Sequence, residues 1–302
     1  MRTEKSNIDK QSEVEDMRDL HFDEPPQTMY KYTSFKSAFN ILTNNKIYFA
    51  KLSEFNDPFD GLMTPDLSTS EKTEIFMENM NKMAISLGMN WPVKKNREQE
   101  FVNNRDLANL FTRTLTDESM KEDINGFCCL TDTYQSLPMW AHYADNHTGC
   151  CLVFDFSKYL DMEEGARFPF HHMKKIKYQK DLPIFMPTHD ISRIRDYVWH
   201  YYANKSHEWE YEHEWRAVMF EKDTSPLHPN SFLSKKSNGA GLYPLGNFLR
   251  GVILGHKMEN AYKEVIKAAA RQRGIFVKQE SRELYKYGIY LTEVDNNQSN
   301  PI

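Results

Sequence analysis

Three charged residues in a short stretch carry the strongest chemical signal in the sequence. Glu212, Glu214 and Arg216 alternate along the segment 211–220, whose pattern predicts a strand. Residues two apart on a strand share a face, so the two carboxylates would lie about 7 Å apart with a guanidinium beside them. One interpretation is a solvent-exposed face. The alternative is a cleft in which an anchored carboxylate binds sugar hydroxyls and stabilises developing positive charge, and the apolar run 217–220 favours it.

A second group lies in the loop 56–60, which reads Asn-Asp-Pro-Phe-Asp. Asn and Asp before Pro are common in turns, so one interpretation is purely structural. Alternatively, Asn56 and Asp57 bind a ligand, or the acids of the loop fix a nearby arginine. A metal site here would need more carboxylates than the sequence guarantees.

A third group is the aromatic segment 139–143, Met-Trp-Ala-His-Tyr, preceded by Ser136 and Pro138. This start is typical of a helix, on which Met139, His142 and Tyr143 would share a face. A histidine beside aromatic residues is more often a hydrogen-bonded core residue than a catalyst. The alternative is that the aromatic rings of this segment stack on a flat heterocycle.

Basic residues and cysteines give weaker signals. The run 171–180 is most simply a solvated strand face, although it could also hold phosphates or contact nucleic acid. Neither a P-loop nor a GxGxxG pattern occurs. The cysteines form two adjacent pairs, 128–129 and 150–151, without a CxxC spacing. Because neighbouring residues on a strand point to opposite faces, buried reduced thiols are favoured over a zinc site.

The elements that must position these residues come in an α+β order, without the regular strand–helix alternation of a doubly wound sheet. A strand–helix–strand unit opens the fold, with Ser34 as the predicted helix N-cap. The other predicted elements are strands at 126–130, 149–156, 249–254, 275–279 and 287–293 and helices at 136–143, 189–205 and 259–271.

Composition excludes several classes of protein. The chain has 302 residues, 40% of them hydrophobic, and a net charge of −5 from 38 basic and 43 acidic residues. It is too apolar for intrinsic disorder, and no apolar run approaches the roughly 20 residues of a membrane span. Mild acidity argues against a nucleic-acid binder with a wholly basic surface. A charged N-terminus without an apolar core predicts no secretory signal, so we expect a cytoplasmic protein without a membrane partner.

The domain organisation expected from these patterns is simple. Residues 1–27 are predicted to be a flexible arm, and 28–293 a single domain with a helical insertion at about 66–122. Residues 294–302 form a polar tail.

Taken together, five separated motifs resemble the bacterial and phage family known as domain of unknown function 2971. They are Tyr-Lys-Tyr at 30–32, the loop 56–60, the segment 139–143 with Gly149, Trp-x-x-Glu-x-Glu-x-Arg at 209–216 and Ile-Leu-Gly at 253–255. The resemblance covers about residues 29–260 and implies no activity by itself.

A weaker resemblance, to ADP-ribosyltransferases, does imply one. Residues 31–33, the helix to Leu42 and the run 46–48 are similar to the first strand–helix–strand of those enzymes, and 212–214 is similar to their Glu-x-Glu element. The resemblance implies an α+β, ADP-ribosyltransferase-like split β-sheet core. It also implies NAD as substrate, since a carboxylate that holds the ribose hydroxyls stabilises the oxocarbenium-like ribose left when nicotinamide departs.

On this resemblance we expect an NAD-consuming enzyme that transfers ADP-ribose to a nucleic acid or a protein, or hydrolyses NAD, in a phage-defence or toxin-like role. Glu214 would be the catalytic carboxylate and Glu212 would assist it. The residues expected to bind the nucleotide are Tyr32, Thr33, Asn56, Asp57, Trp140, His142, Tyr143 and Arg216.

Two alternatives remain open at the level of sequence. One is a non-catalytic nucleotide- or nucleic-acid-binding module that uses the same cleft and the 171–180 run. The other is a metal-dependent phosphodiester hydrolase that draws on Asp57, Asp60 and Glu214.

Overall fold

The computed structural model describes residues 23–86, 126–170, 172–185, 202–219 and 239–294. The helices are α1 (Phe35–Asn44), α2 (Ser70–Ser86), α3 (Leu137–Tyr143) and α4 (Asn260–Gln272). The strands are β1 (Thr28–Thr33), β2 (Lys46–Phe49), β3 (Thr64–Pro65), β4 (Gly126–Thr131), β5 (Cys150–Asp155), β6 (Met173–Lys175), β7 (Lys177–Gln179), β8 (Ile184–Phe185), β9 (Asn204–Ser206), β10 (Glu214–Met219), β11 (Gly241–Pro244), β12 (Leu249–Leu254), β13 (Phe276–Arg282) and β14 (Ile289–Glu293). Among these residues, no helix combines the length and the hydropathy that crossing a bilayer requires.

A mixed sheet of eight strands organises the fold, in the order β14-β13-β12-β5-β1-β4-β10-β6. Neighbouring strands of this sheet are antiparallel, except that β12 and β13 are parallel and are joined through α4. Helices combined with this large sheet confirm the predicted α+β class.

The opening strand–helix–strand unit forms as predicted. The side chain of Ser34 caps α1 by accepting a hydrogen bond from the backbone of Ser37 at 3.2 Å. Asn45 ends the helix in the left-handed conformation, with φ 52°, which asparagine tolerates better than most residues. Between them, Ala38 and Ile41 belong to the apolar stripe that faces the sheet.

The two faces of the sheet bury different clusters. The larger apolar core lies under α1 and α4, and the smaller one lies under α3. The smaller cluster consists of Tyr32, Met139, Trp140, Ala144, Cys151, Val153, Ile253 and Ile289. Because side chains alternate along a strand, Glu214 and Arg216 project from β10 toward the α3 side, while Trp215 joins the larger core.

The cysteines are free thiols, as predicted. Cys128, Cys150 and Cys151 are buried and Cys129 is half-buried. Burial raises the pKa of each thiol, so they remain protonated.

The eight-stranded sheet is nearly split between β1 and β4. β1 pairs with β5 along all six of its residues but meets β4 at one position, where Tyr30 lies opposite Thr131. Farther along β4, Phe127 exchanges two backbone hydrogen bonds of 2.8 Å with Ala50, just after β2. Cys129 lies between these two pairing positions, and a cavity opens there.

The predicted strand 211–220 begins three residues late. Its alternating glutamates suggested a strand, but His207–Glu212 forms a 3-10 helix whose first turn is capped by the Ser206 hydroxyl. His213 ends that helix in the left-handed conformation, with φ 47°, and β10 follows. Because every residue of β10 is buried, the solvent-exposed interpretation of this segment is wrong.

Other boundaries shift as well. The predicted helix 189–205 lies outside the described residues up to 201, and its last two residues belong to β9 instead. Helix α2 falls within the predicted insertion 66–122, of which 87–122 lies outside the described residues.

Asp23 lies inside the predicted flexible arm, yet its carboxylate accepts a 2.8 Å hydrogen bond from the backbone of Lys175. Asp23 is therefore fixed against β6, although it lies inside the predicted arm. Residues 1–22 of the arm and 295–302 of the tail lie outside the described residues.

Candidate functional site

A cavity of about 1010 Å³ lies at the split between β1 and β4. One wall comes from one side of α1, where Ser37, Asn40 and Asn44 line it, together with β1 and β2. The opposite wall comes from β4, α3 and the acidic segment before β10. A volume of this size is at the upper end of the range typical of small-molecule sites.

At one end of the cavity lies a buried group of charged side chains, the cavity cluster. It consists of Asp60, Lys205, Glu212, Glu214 and Arg216, whose side chains are each at most 4% exposed. Three carboxylates and two permanent cations give it a formal charge of −1. Buried charges of this density are retained only where each is paired.

Arg216 is the anchor of the cluster. Its guanidinium makes a bidentate pair with Asp60, at 2.7 and 2.8 Å, and also donates to Glu214 through Nε at 2.6 Å. The interpretation that an acid of the loop 56–60 fixes an arginine is therefore confirmed. Arg216 is fully buried and does not line the cavity, so it holds the acids and does not occupy the nucleotide-binding position expected from the sequence.

Glu214 accepts three hydrogen bonds from cationic side chains. Arg216 donates through Nε at 2.6 Å and through Nη2 at 3.2 Å, and Lys205 donates at 3.2 Å. Burial alone would raise the pKa of Glu214, but the charges of Arg216 and Lys205 outweigh it and hold the pKa well below its ordinary value. Glu214 is thus an ionised carboxylate held by both cations of the cluster.

Glu212 is bound differently. Its Oε1 accepts a 2.6 Å hydrogen bond from the Tyr143 hydroxyl and its Oε2 a 2.6 Å bond from Lys205. Two of about four acceptor positions remain. Burial raises its pKa, and the charge of Lys205 offsets this only in part. Asn56 completes the arrangement by donating to the Tyr143 hydroxyl at 2.9 Å.

Sequence reasoning missed Lys205 and Tyr178. Lys205 bridges Glu212 and Glu214 and lies 4.8 Å from the centre of the Trp209 ring. The backbone of Glu214 donates to the Tyr178 hydroxyl at 2.7 Å. Both residues come from the parallel pair β7–β9, which forms only in the folded chain, so no local pattern pointed to them.

A second cation enters the cavity from the other side of the split. Lys31, on β1, reaches across and donates to the backbone carbonyl of Cys129 at 2.9 Å, where a strand partner would otherwise bond. Lys46 also lines the cavity and is exposed. The cavity is thus lined by Lys31 and Lys46 from β1 and β2, and by Lys205, Glu212 and Glu214 at the cavity cluster.

The structure brings together some of the predicted nucleotide-binding residues and not others. Thr33, Asn56, His142 and Tyr143 line the cavity, as do Glu212 and Glu214. Tyr32 also borders it, but the ring is 95% buried and its hydroxyl donates to the carbonyl of Thr133 at 3.1 Å.

Two predicted ligand-binding residues lie in the protein interior. Trp140 is fully buried, packs edge-on against Tyr32 and donates from its indole to the carbonyl of Tyr134 at 2.8 Å. It is a core residue, and the stacking role expected for it is wrong. Asp57 is buried in its turn, where it accepts a 2.9 Å bond from the backbone of Phe59, and it does not line the cavity.

The basic run 171–180 forms the strands β6 and β7, with His171 outside the described residues. Its lysines alternate with apolar side chains, since Met173 and Ile176 are buried. Lys174 pairs with Asp23 at 3.1 Å and Lys175 with Asp132 at 3.5 Å. Apart from the contact of Tyr178, this run lies away from the cavity.

No curated protein and no solved structure is significantly similar to the chain. A family comparison does give a match, and it spans the segment 139–143, the predicted catalytic acids and most of β10. Residues 139–217 match the model of the family described as Protein of unknown function (DUF2971), which confirms the resemblance to that family over this part of the chain.

Proposed function

We propose that the cavity binds NAD and that the protein breaks its nicotinamide–ribose bond, passing the ADP-ribose to a macromolecule or to water. The observation that carries the proposal is one cavity lined both by amines, among them Lys31, and by the carboxylate of Glu212. NAD has matching parts, because its pyrophosphate is anionic and its nicotinamide ring is cationic.

Glu212 is the better candidate for contact with the ribose than Glu214. Glu212 accepts two hydrogen bonds, from Tyr143 and Lys205, whereas Glu214 accepts three, all from cationic side chains. This exchanges the roles that the sequence suggested. Glu214 becomes a positioning residue, which holds Lys205 and Arg216, and Glu212 becomes the group that accepts from the ribose hydroxyls.

The proposed reaction needs only NAD and an acceptor hydroxyl or water. The bond between the ribose C1′ and the nicotinamide nitrogen breaks, and its electron pair leaves with neutral nicotinamide. A hydroxyl of the acceptor or of water attacks C1′ of the oxocarbenium-like ribose and releases one proton. An ionised carboxylate near the ribose stabilises the positive charge as it develops.

The test compares nicotinamide release by the wild type with that by two matched variants, Glu212→Gln and Glu210→Gln. Glu210 is the control because it lies on the same 3-10 helix and is exposed. Mass spectrometry would follow nicotinamide and modified RNA, DNA or protein. We expect Glu212→Gln to lower the rate by at least about 100-fold, in line with the loss of a charge-stabilising group, and Glu210→Gln to leave it unchanged. Absence of both turnover and NAD binding in the wild type would refute the proposal.

A nucleotide-binding module without turnover is the second candidate. It is favoured because Lys205 already pairs with both Glu212 and Glu214. Carboxylates neutralised in this way stabilise a positive charge on a ligand less strongly. Tight NAD binding by calorimetry with no nicotinamide released would support this function instead. The hydrolase alternative finds less support, because the oxygens of Asp60 and Glu214 already bond to cationic side chains that a metal would have to displace.

A further inference from the structure

A second, partly buried group of polar side chains lies on the α3 side of the sheet, near the ends of β12 and β13. This histidine triad consists of His147, His256 and Glu280, whose ligand-type atoms all lie within 4.8 Å of one another. None of the three belongs to the cavity cluster or lines the cavity, and sequence reasoning did not single them out.

Glu280 is the centre of the triad. It is fully buried, and its Oε1 lies 2.8 Å from His147 Nδ1. Its Oε2 accepts a 3.0 Å bond from the backbone of His256 and lies 3.2 Å from the Nδ1 of the same residue. Among the described residues, the charged or titratable groups that act on Glu280 also include the Tyr32 hydroxyl and the Cys151 thiol, but no lysine or arginine pairs with it. A buried carboxylate without a permanent cation needs another source of positive charge.

His256 supplies an unused ligand atom. Its Nδ1 is buried and makes no well-aligned hydrogen bond within the described part of the chain, despite its closeness to Glu280. Such an unbonded buried nitrogen is unfavourable unless something else occupies it.

The backbone holds the two imidazoles together at a conformational cost. Asp145, Asn146 and His147 all have positive φ, at 48°, 54° and 68°, which non-glycine residues rarely adopt in succession. The carbonyl of His147 accepts a 3.0 Å bond from Lys257, and a side chain at Gly255 would collide with that carbonyl. The two loops therefore approach each other as closely as glycine allows.

We propose that His147, His256 and Glu280 bind a divalent transition-metal ion of the zinc class. Two imidazoles and one carboxylate are the ligands of many zinc sites that keep one position open to water. Ligand bonds of about 2.0–2.1 Å around a tetrahedral ion place the ligand atoms about 3.3 Å apart. His147 Nδ1 lies 2.8 Å from Oε1 of Glu280 and His256 Nδ1 lies 3.2 Å from Oε2, and the ligand atoms all lie within 4.8 Å of one another, so small side-chain shifts would bring them to this spacing.

The site is accessible from solvent, and it contacts helix α3. The imidazoles of His147 and His256 are 13% and 20% exposed, which leaves an open side for the ion and its water. His147 also stacks on Trp140, with the rings 5.9 Å apart and 7° from parallel. Trp140 lies on α3 three residues before Tyr143, so the ion would steady the helix that supplies the hydroxyl bound to Glu212.

The experiment uses the full chain after removal of metals with a chelator. Titration with Zn²⁺, followed by calorimetry, is expected to show one ion per chain, and Co²⁺ is expected to give the visible absorption of a tetrahedral nitrogen–oxygen site. The variants are His147→Ala, His256→Ala and Glu280→Gln, with His207→Ala as the control because it is exposed and far from the triad in sequence. We expect each triad variant to weaken zinc binding at least about tenfold and the control to leave it unchanged.

Folding of each variant is checked by circular dichroism. A thermal melt of the wild type with and without zinc adds a readout that needs no variant, because an ion that binds only the folded state raises Tm. Failure of the wild type to bind zinc or cobalt at micromolar concentration would overturn the proposal, as would zinc binding by His256→Ala as tight as that of the wild type. Neither outcome depends on NAD, so the two proposals stand or fall separately.

Discussion

The cavity cluster and the histidine triad both bury carboxylates on the same side of one sheet, but they neutralise them with different partners. In the cavity cluster, Arg216 and Lys205 supply charges that persist at any physiological pH. In the triad, Glu280 faces two imidazoles and, among the described residues, pairs with no lysine or arginine. The first arrangement contains its own permanent cations, whereas the second offers a set of metal ligands.

The difference shows that one fold can hold one group of carboxylates in permanent ion pairs and another among potential metal ligands. Permanent ion pairs hold Glu214 in a single protonation state, which suits a residue that orients others. Imidazoles are weaker partners for a carboxylate, but they are good metal ligands. Four experiments would test this comparison.

The largest effect is expected when the permanent charge of the cavity cluster is removed. Arg216→Met would leave Asp60 and Glu214 buried without their main partner, and breaking a buried ion pair from one side costs about 3–5 kcal/mol. Urea denaturation followed by circular dichroism measures the loss. Arg250→Met is the control, since its pair with Asp155 is exposed and is expected to change stability by less than about 1 kcal/mol. Equal losses in both variants would show that the cluster is not held by Arg216.

A smaller effect is expected in the triad. Glu280→Gln has nearly the same shape and keeps an oxygen for the backbone of His256, so we expect a loss of about 1–3 kcal/mol without metal. Added zinc should stabilise the wild type more than the variant. The same denaturation experiment, run with a chelator and with zinc, measures both quantities. A loss as large as that of Arg216→Met would contradict the distinction between the two regions.

A comparable but more local effect is expected at the hydroxyl that joins α3 to the cavity cluster. Tyr143→Phe removes the donor to Glu212 and the acceptor of Asn56, which predicts a loss of about 1–2 kcal/mol. If Glu212 contacts the ribose, nicotinamide release should fall as well. Tyr211→Phe is a suitable control, because that residue is a partly exposed neighbour. Unchanged stability and unchanged NAD turnover in Tyr143→Phe would separate Tyr143 from the site.

The smallest effect is a difference in pH dependence between two neighbouring acids. The pKa of Glu214 is lowered in the fold, so its ionisation stabilises the protein above its ordinary pKa of 4.5, and this stability is lost as the pH falls. The pKa of Glu212 is raised, so its contribution is present below 4.5 and is lost as the pH rises through the folded value. The stability difference between wild type and Glu214→Gln should therefore grow with pH, and that for Glu212→Gln should shrink. Unfolding curves between pH 4 and pH 7 measure both slopes, and slopes of the same sign would contradict the assignment.

Sequence reasoning reached the elements whose signals are local. The Ser34 cap and the strand Leu249–Leu254 follow from neighbouring residues and were predicted with their observed bounds. The start of β10 was misplaced because the alternating glutamates of 208–214 imitate the period of a strand, while the backbone forms a 3-10 helix and turns at His213. Periodicity alone cannot distinguish these two outcomes over so few residues.

Sequence reasoning also found the acids of the candidate site but not the residues that control them. Glu212, Glu214 and Asn56 stood out by type and spacing. Lys205 and Tyr178 did not, because a lysine and a tyrosine in polar segments are ordinary until strand pairing brings them to Glu214. The histidine triad was missed for the same reason, since Glu280 lies 133 residues from His147.

The single pairing position between β1 and β4 has a mechanical consequence. Bending the sheet along that line strains one strand pair, at Tyr30 and Thr131, whereas bending it between β1 and β5 would strain six. Among the described residues, the remaining bonds across the line are the bridge between Ala50 and Phe127 and the side-chain bonds of Lys31 and Tyr32. Resistance to bending there therefore comes largely from side chains that border the cavity, so a ligand that displaced Lys31 from the Cys129 carbonyl would also loosen the joint between the two parts of the sheet.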